Sequence, residues 1–184
     1  MSGVVAEGEW RAVGLAESAE RAEEEELRLP DGAWLPAHAD VEHGPRGGDE
    51  LNLVVKGKNY GWPLITYGMN YNGTPMTDKT AAPGLEQPIT YWVPSIAVSS
   101  IGFYTGTKFP GWKNNLFLGS LAAQELRRLE LNGTQVKQEV LFKNVGRLRD
   151  VVMGPDGAIY VAFNQPDRIA RLVPAQAPAT SAAR

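Results

Sequence analysis

The sequence reads EHGPRGGDELN at residues 42–52, and GKNYGWP follows at residues 57–63. Glycine and proline at this density indicate a loop that turns sharply. Gly44 and Pro45 can leave their carbonyl groups unpaired and directed inward. Backbone and carboxylate oxygens are the ligands that a hard cation such as Ca²⁺ prefers. An ordinary glycine-rich turn with a surface histidine, His43, is the alternative that spacing alone leaves open.

The composition is that of one ordinary globular domain. The chain has 184 residues, of which 43% are hydrophobic and 21% are charged, and this is enough for a single core. The 20 glycines and 13 prolines favour short elements joined by turns over long helices. Because the sequence has no cysteine, it can form neither a disulfide nor a thiolate metal site.

Two kinds of partner are disfavoured by the sequence. It contains no run of about 18 apolar residues, so we expect no transmembrane helix. The part from residue 33 onward is only mildly basic and has no basic stripe with interleaved aromatic residues, so we expect no nucleic-acid binding. The N-terminal residues show no basic start followed by an apolar stretch, so no secretory signal peptide is visible in this chain.

The chain divides into three parts. Residues 1–32 are acidic and, between Glu17 and Arg28, rich in helix-forming residues with poor apolar spacing. This pattern predicts a leader that is either a marginal helix or disordered. Residues 33–174 carry β signals throughout. Residues 175–184 are small and polar, and they are predicted to form a disordered tail.

Nine short segments are predicted to be strands, because they are rich in β-branched, aromatic or alternating apolar residues and are separated by Gly, Pro or Asn. The pair Asn132-Gly133 is a hairpin turn signal. The segments group into units of about 40–50 residues, the size of a four-stranded propeller blade, which gives two blades and part of a third. Spacing alone leaves a sandwich and an incomplete propeller both open. The predicted strands are residues 51–55, 89–93, 100–105, 115–120, 125–131, 135–142, 149–153, 158–163 and 168–173.

Two further groups of side chains are candidates for ligand binding. Arg147 and Arg149 are two positions apart, so in a strand they point to the same face and form a fork for a phosphate or a polycarboxylate. A pair of solvated arginines is the alternative. The run from Tyr91 to Ser95 can form a stacking wall for a flat ligand, although aromatic residues in strands belong more often to the core.

Motifs of other enzyme classes are lacking. Ser99 and Ser100 have no nucleophile-elbow pattern around them. His38 and His43 are the only histidines of the sequence, so only they could serve as an imidazole base. The sequence contains no HExxH zinc motif, no phosphate-binding loop and no GxGxxG dinucleotide fingerprint.

The candidate sites occur in the same order in a known family. The chain resembles the soluble aldose sugar dehydrogenases that depend on pyrroloquinoline quinone (PQQ), also called glucose/sorbosone dehydrogenases, and it resembles their C-terminal half only. The resemblance covers about residues 41–174, and EHGPxGGDELN followed by NYGWP is its most specific part. The matching strings are EHGPRGGDELN (42–52), GKNYGWP (57–63), YGMNYNG (67–73), PITYWVPSIAVSS (88–100), FPGWKNNLFLGSL (109–121), RLRDVVMGPDGAIYVA (147–162) and RIARLVP (168–174).

The resemblance implies an all-β fold, about half of a six-bladed β-propeller of four-stranded antiparallel blades, preceded by a leader that does not match the family. It implies PQQ and Ca²⁺ as cofactors. The carbonyl groups of Gly44 and Pro45 correspond to ligands of the cofactor-bound Ca²⁺, and Glu86 is a candidate ligand of a second, structural calcium. The residues placed at the cofactor by the resemblance are His43, Asp49, Tyr91, Ser95, Arg147 and Arg149.

The implied activity is oxidation of an aldose sugar, in which hydride passes from the C1 hydroxyl group to the quinone and a lactone forms. An external electron acceptor and a periplasmic or secreted location are also implied. The family's catalytic histidine lies on an earlier blade whose sequence is absent here, and neither His38 nor His43 matches its context, so no catalytic residue is identified. A non-catalytic propeller fragment that acts as a binding module is the alternative. Because a half ring exposes apolar blade faces, self-association or a partner chain that completes the propeller is expected.

Overall fold

The computed structural model describes residues 4–7 and 39–174. Within these ranges the regular structure consists of strands and one 3₁₀ helix, Pro110–Trp112, and there is no α-helix. The strands are β1 (Val4–Glu7), β2 (Ala39–Glu42), β3 (Asp49–Leu53), β4 (Thr90–Trp92), β5 (Val98–Phe103), β6 (Leu116–Ser120), β7 (Leu126–Asn132), β8 (Gln135–Phe142), β9 (Arg147–Met153), β10 (Ile159–Asn164) and β11 (Arg168–Pro174).

The strands form three antiparallel sheets. The first sheet has the order β2-β3-β4, the middle sheet β5-β6-β7-β8 and the last sheet β1-β11-β10-β9. Strand β2 contacts β5, and both β5 and β6 contact β9, so the middle sheet lies between the other two. Small antiparallel sheets that pack face to face in chain order are the blades of a β-propeller. The prediction of an all-β, partial propeller is therefore confirmed.

Two hydrophobic cores hold the three sheets together, one at each junction. Both contain side chains that are fully removed from solvent, and such burial is the main stabilising term in a fold of this size. The core between the first and middle sheets contains Leu51, Trp92, Ile96, Val98, Leu116, Leu118 and Leu129. The core between the middle and last sheets contains Tyr104, Phe109, Phe117, Leu126, Leu148, Val151, Ile159, Val161 and Leu172.

The last sheet has a second face that turns away from this core. Side chains alternate across a strand, so the neighbours of buried Val151 and buried Val161 point to the opposite face. Val152 and Ile169 on that face are 49% and 50% exposed. In the described part of the chain this face therefore stays open to solvent.

The predicted strands agree with the observed ones, with boundaries that shift by at most two residues. Strand β2 was not predicted separately. The turn between β7 and β8 consists of Gly133 and Thr134, one position later than the predicted pair, because Asn132 already pairs with Gln135. Gly133 has φ +59°, as the first central position of a type II′ turn requires.

Strand β1 corrects part of the leader prediction. Residues 1–32 were expected to be helical or disordered, but Val4–Glu7 forms a strand that pairs with β11, with Val5 opposite Val173. Two consecutive valines favour an extended backbone, and the edge of β11 offers unpaired backbone groups to such a segment. The rest of the leader and the predicted tail at residues 175–184 lie outside the described residues.

A long connection, residues 54–89, joins β3 to β4. Its only bridge in the described chain outside the strands joins Met69 to Pro75. The Tyr60 hydroxyl group fixes its start, because it donates to the Leu53 carbonyl (2.5 Å) and accepts from the Val55 amide (2.8 Å). Loops of this length that are held by internal contacts are commonly functional.

No helix in residues 4–7 or 39–174 has both the length and the apolar character required to cross a membrane.

Candidate cofactor-binding site

The glycine loop, residues 43–48 between β2 and β3, is compact because backbone segments touch there. A Cβ atom on Gly44 would lie 2.2 Å from the Gly47 carbonyl oxygen, and one on Gly68 would lie 2.3 Å from the same atom. Gly47 and Gly48 have φ of +95° and +74°, which side chains rarely permit. The loop and the Tyr67–Gly68 backbone can therefore approach this closely only with glycine at these positions.

Asp49 anchors the glycine loop from below. Its side chain is fully buried. Its Oδ1 atom accepts a hydrogen bond from the Gly44 amide (2.9 Å), the Ser95 hydroxyl lies 2.8 and 2.9 Å from the two carboxylate oxygens, and Oδ2 also faces the Val98 amide at 3.3 Å. All these groups are donors, as an ionised carboxylate requires. Asp49 therefore lies beneath the loop and joins it to the segment that leads into β5.

The Ser95 segment ties this arrangement to the neighbouring blade. The Ser95 Oγ atom accepts from the Ala97 amide (3.0 Å), and Ala97 has φ +54°. The Leu121 amide then donates to the Ala97 carbonyl (2.7 Å) and the Ala122 amide to the Ile96 carbonyl (3.0 Å). The loop of the first sheet is thus positioned against the β6–β7 turn of the middle sheet.

The carbonyl groups of Gly44 and Pro45 fit the role of cation ligands. Among the described residues, no hydrogen bond is directed to either carbonyl oxygen. No three acidic or histidine side chains of the described residues converge on one point, so an ion held here would depend on backbone oxygens. The buried Asp49 carboxylate also has no ion-pair partner in this part of the chain, and a cation nearby would offset its burial.

The two candidate arginines lie at the start of β9, in the last sheet. Leu148 pairs with Phe163 and Asp150 with Ala162, so Arg149 is the extra residue of a β-bulge. Arg149 is exposed and donates to Asn164 Oδ1 at 3.1 and 3.3 Å.

Asn164 is also the cross-strand partner of Arg147, which is half-buried. Both arginines therefore lie at the start of β9, an edge strand of the last sheet, and the bulge interrupts the strict alternation on which the same-face prediction rested. No contact among the described residues joins them to the glycine loop.

His43 and Tyr91 lie near the surface. His43 is exposed and lines a cleft together with Glu42, Glu50 and Trp62. Tyr91 is 46% exposed, and its ring stacks on Tyr67 with centroids 3.7 Å apart and planes at 8°. Both side chains are thus available to a ligand above the first sheet.

Glu86, the candidate ligand of a second calcium, forms an ion pair. Its Oε1 atom lies 2.9 Å from Lys58 Nζ, and its amide donates to the Asn59 carbonyl (2.8 Å). These contacts fasten the two ends of the long connection to each other. Its assignment to a calcium site stays a prediction.

A group of acidic residues that was not predicted from the sequence lies on the same face of the first sheet as Tyr91, the cross-strand partner of Glu50. Glu42 and Glu50 are cross-strand partners, and Asn52 Nδ2 donates to Glu42 Oε1 at 3.4 Å. The Asn52 Oδ1 atom is buried, and no described group donates to it. The pairing of Glu42 with Glu50 could have been predicted from the hairpin that β2 and β3 form around the glycine loop. Residues equally distant from the centre of a hairpin face each other across its two strands.

The carboxyl groups of this group have raised pKa values. Burial raises the pKa of Glu50 to about 7, and the nearby Glu42 carboxyl adds to the rise, against the opposing effect of Asn52. Burial and then the charge of Asp40 raise the pKa of Glu42. Two facing carboxyl groups that are partly removed from water resist ionising together.

The sequence that forms these sheets and loops matches a known family of enzymes. The profile of the family "Glucose / Sorbosone dehydrogenase" matches residues 33–171, which include the glycine loop, the Ser95 segment and both arginines. The chain belongs to the glucose/sorbosone dehydrogenase family.

Three relatives illustrate the relationship. The aldose sugar dehydrogenase YliI of Escherichia coli (strain K12) is 44% identical over 147 residues, which are 76% of this chain and 40% of that protein. A crystal structure of a glucose dehydrogenase is 45% identical, with a TM-score of 0.67 over 76% of this chain and 41% of that one. The PQQ-bound aldose sugar dehydrogenase from Streptomyces coelicolor is 25% identical, with a TM-score of 0.55 over 73% of this chain and 39% of that one.

This member of the glucose/sorbosone dehydrogenase family spans about two fifths of the length of the relatives that it matches. The structure brings Gly44, Asp49 and Ser95 together at one junction of blades. Arg147 and Arg149 lie in the last sheet, and the middle sheet separates them from the glycine loop of the first sheet. A cofactor bound by the loop and by the arginines would therefore have to extend across the middle sheet.

Replacement of Glu50 by Gln is expected to flatten the dependence of stability on pH. With a pKa of about 7 when folded and 4.5 as the ordinary value, Glu50 binds its proton more tightly in the folded chain. The folded chain therefore loses stability as the pH rises from 4.5 through 7, by up to about 3 kcal/mol at about 1.4 kcal/mol per pKa unit. Urea titrations with a chelator present, at pH 5 and at pH 8, measure the difference.

Glu50→Gln should exceed the wild type in stability at pH 8 but not at pH 5. Glu130→Gln, at an exposed position of β7, serves as the matched control and should follow the wild type at both values. Equal pH profiles for Glu50→Gln and the wild type would contradict the raised pKa.

Proposed function

We propose that this chain forms the cofactor-binding portion of an enzyme that oxidises aldose sugars with PQQ and Ca²⁺. The observation that carries the proposal is the pair of carbonyl groups at Gly44 and Pro45, which accept no hydrogen bond from the described residues and belong to a loop whose Gly44 amide donates to the buried Asp49. The family relationship and the PQQ-bound relative support it.

The residues of this chain have separate tasks in that proposal. The carbonyl oxygens of Gly44 and Pro45 would hold Ca²⁺, a cation that takes oxygen ligands. Arg147 and Arg149 would bind the carboxylate groups of PQQ, for which charge-assisted pairs with arginine are well suited. His43 and Tyr91, both exposed, would contact the cofactor or the sugar from the side. When bound, PQQ with its cation supplies a polarised carbonyl that accepts hydride from C1 of the aldose, and a lactone is the product.

An external acceptor would then take the electrons, and we infer from the family relationship that such an enzyme would work in the periplasm or outside the cell. The base that removes the sugar's hydroxyl proton is not assigned to a residue of this chain. His43 is exposed and has no hydrogen-bond partner among the described residues that would orient it as a base. A chain with the cofactor site and without the base would bind PQQ without turning over sugar.

We also propose that a partner chain or a second copy covers the open face of the last sheet. Val152 and Ile169 on that face are about half exposed, and a propeller blade normally buries both of its faces. Size-exclusion chromatography with light scattering tests this proposal. A stable dimer that the double variant Val152→Asp/Ile169→Asp dissociates would agree with a second copy of this chain. A monomer that forms a complex only when further propeller blades are added would agree with a partner chain. A monomer that neither self-associates nor binds added blades would contradict the proposal.

Titration with PQQ in the presence of Ca²⁺ tests the cofactor proposal. We expect saturable binding that a chelator abolishes. The double variant Arg147→Ala/Arg149→Ala should weaken binding by at least about tenfold, because each charge-assisted hydrogen bond is worth about 1.5–3 kcal/mol. Isothermal titration calorimetry gives the affinities, and the thermal unfolding of each variant shows that it is folded.

Lys137→Ala is the control for loss of positive charge, since Lys137 is an exposed residue of β8 in the middle sheet. It should bind PQQ as the wild type does. Unchanged affinity in the arginine double variant would remove the two arginines from the site.

With glucose and a dye as electron acceptor, the loaded wild type should show little or no turnover, and robust turnover would place the catalytic base within this chain.

A further inference from the structure

The contacts of Asp49 and Ser95 differ from those of residues that line a cofactor pocket. Asp49 has no solvent exposure, and Ser95 points its hydroxyl group at the Asp49 carboxylate. Neither polar group is directed outward. Their hydrogen bonds go to the Gly44, Ala97 and Val98 amides, all of which belong to the backbone around the site.

We propose that Asp49 and Ser95 are positioning residues, which set the direction of the Gly44 and Pro45 carbonyl groups and touch neither cation nor cofactor. This inference rests on the proposed function, in which those carbonyls hold Ca²⁺. In this inference the two side chains hold the carbonyl groups that would bind Ca²⁺ and do not bind the ion themselves. Such outer partners orient the groups that bind a metal, and their loss lowers metal affinity.

The backbone around Gly44 shows how the orientation is transmitted. The hydrogen bond to Asp49 fixes the amide side of Gly44. Pro45 fixes its own φ near −65°, and the residue before a proline is confined to extended backbone. The Gly47 carbonyl oxygen lies only 2.2 Å from the place that a Cβ atom of residue 44 would occupy, so the backbone of the loop packs closely against Gly44. With these torsions restrained, little freedom remains to the two carbonyl groups.

Asp49 also supplies charge. No lysine or arginine of the described residues pairs with this buried carboxylate. A negative charge behind the pair of neutral carbonyl oxygens favours a divalent cation in front of them. Orientation and charge can be separated by substitution, because Ser95→Ala removes a contact and leaves the charge, whereas Asp49→Asn removes the charge as well.

The test measures the Ca²⁺ concentration that gives half-maximal PQQ binding, in the full chain, by calorimetry. Asp49→Asn should raise it about 10–100-fold, and Ser95→Ala should raise it by less. Ser95→Thr, which keeps the hydroxyl group, should stay near the wild type. At saturating Ca²⁺, all three variants should bind PQQ with the wild-type affinity, because a positioning residue makes no contact with the cofactor.

Val161→Ala is the control for a merely structural effect, since Val161 is buried in the last sheet away from the loop. It should lower the melting temperature without moving the Ca²⁺ midpoint. An unchanged midpoint in Asp49→Asn would overturn the inference. A loss of PQQ affinity that saturating Ca²⁺ does not restore would also overturn it, and would return Asp49 to direct contact with the cofactor.

Amide hydrogen exchange without any ligand separates failure of this inference from failure of the proposed function. The Gly44 amide should exchange faster in Asp49→Asn, and an unchanged rate would overturn the positioning role in every case. If the wild type binds neither Ca²⁺ nor PQQ, the proposed function fails, and the role of Asp49 and Ser95 in cation binding fails with it. Faster exchange would then show only that the pair orders the loop.

Discussion

The hydrogen bond from the Gly44 amide to the buried Asp49 carboxylate is the contact on which the candidate site depends. A carboxylate without solvent exposure must satisfy its oxygens with donors, because an unsatisfied buried polar group costs about 1–3 kcal/mol or more. Asp49 meets this requirement with donors from its own loop and from the Ser95 segment. The same contacts that stabilise the charge therefore fix the loop relative to the next blade.

Glycine at three places makes this arrangement possible. Gly44 and Gly68 both approach the Gly47 carbonyl more closely than any side chain would allow. The long connection after β3 is thereby held against the glycine loop, with Tyr67 stacked on Tyr91 beside it. A loop that presents free carbonyl groups needs such support from several sides, because a carbonyl that accepts no hydrogen bond can otherwise turn toward the nearest donor.

Local pattern was sufficient for most of the fold. The segment 135–142 was predicted with its observed limits because it follows the hairpin turn signal Asn132-Gly133, although none of its side chains is fully buried. The partnership of Val4–Glu7 with β11 could not be predicted in this way, since it joins opposite ends of the chain. The bulge at Arg149 was also missed, because it depends on how β9 pairs with β10 and not on the sequence of β9 alone.

The candidate site also contains features that local sequence predicts and features that depend on the folded chain. The glycine-proline loop and the arginine pair were visible as unusual local sequence, and the resemblance to the family suggested the roles that we propose for them. The contact between Asp49 and Ser95 spans 46 positions and exists only in the folded chain. The facing pair of Glu42 and Glu50 follows from the hairpin, which becomes evident once β2 is known to be a strand.

A crystal structure of this chain with Ca²⁺ and PQQ would test the central claim most directly. We expect a calcium ion about 2.3–2.6 Å from the carbonyl oxygens of Gly44 and Pro45, with Asp49 behind the loop and not bound to the ion. The carboxylate groups of PQQ should meet Arg147 and Arg149. A calcium ion that binds away from the glycine loop, or PQQ that binds without either arginine, would contradict the account.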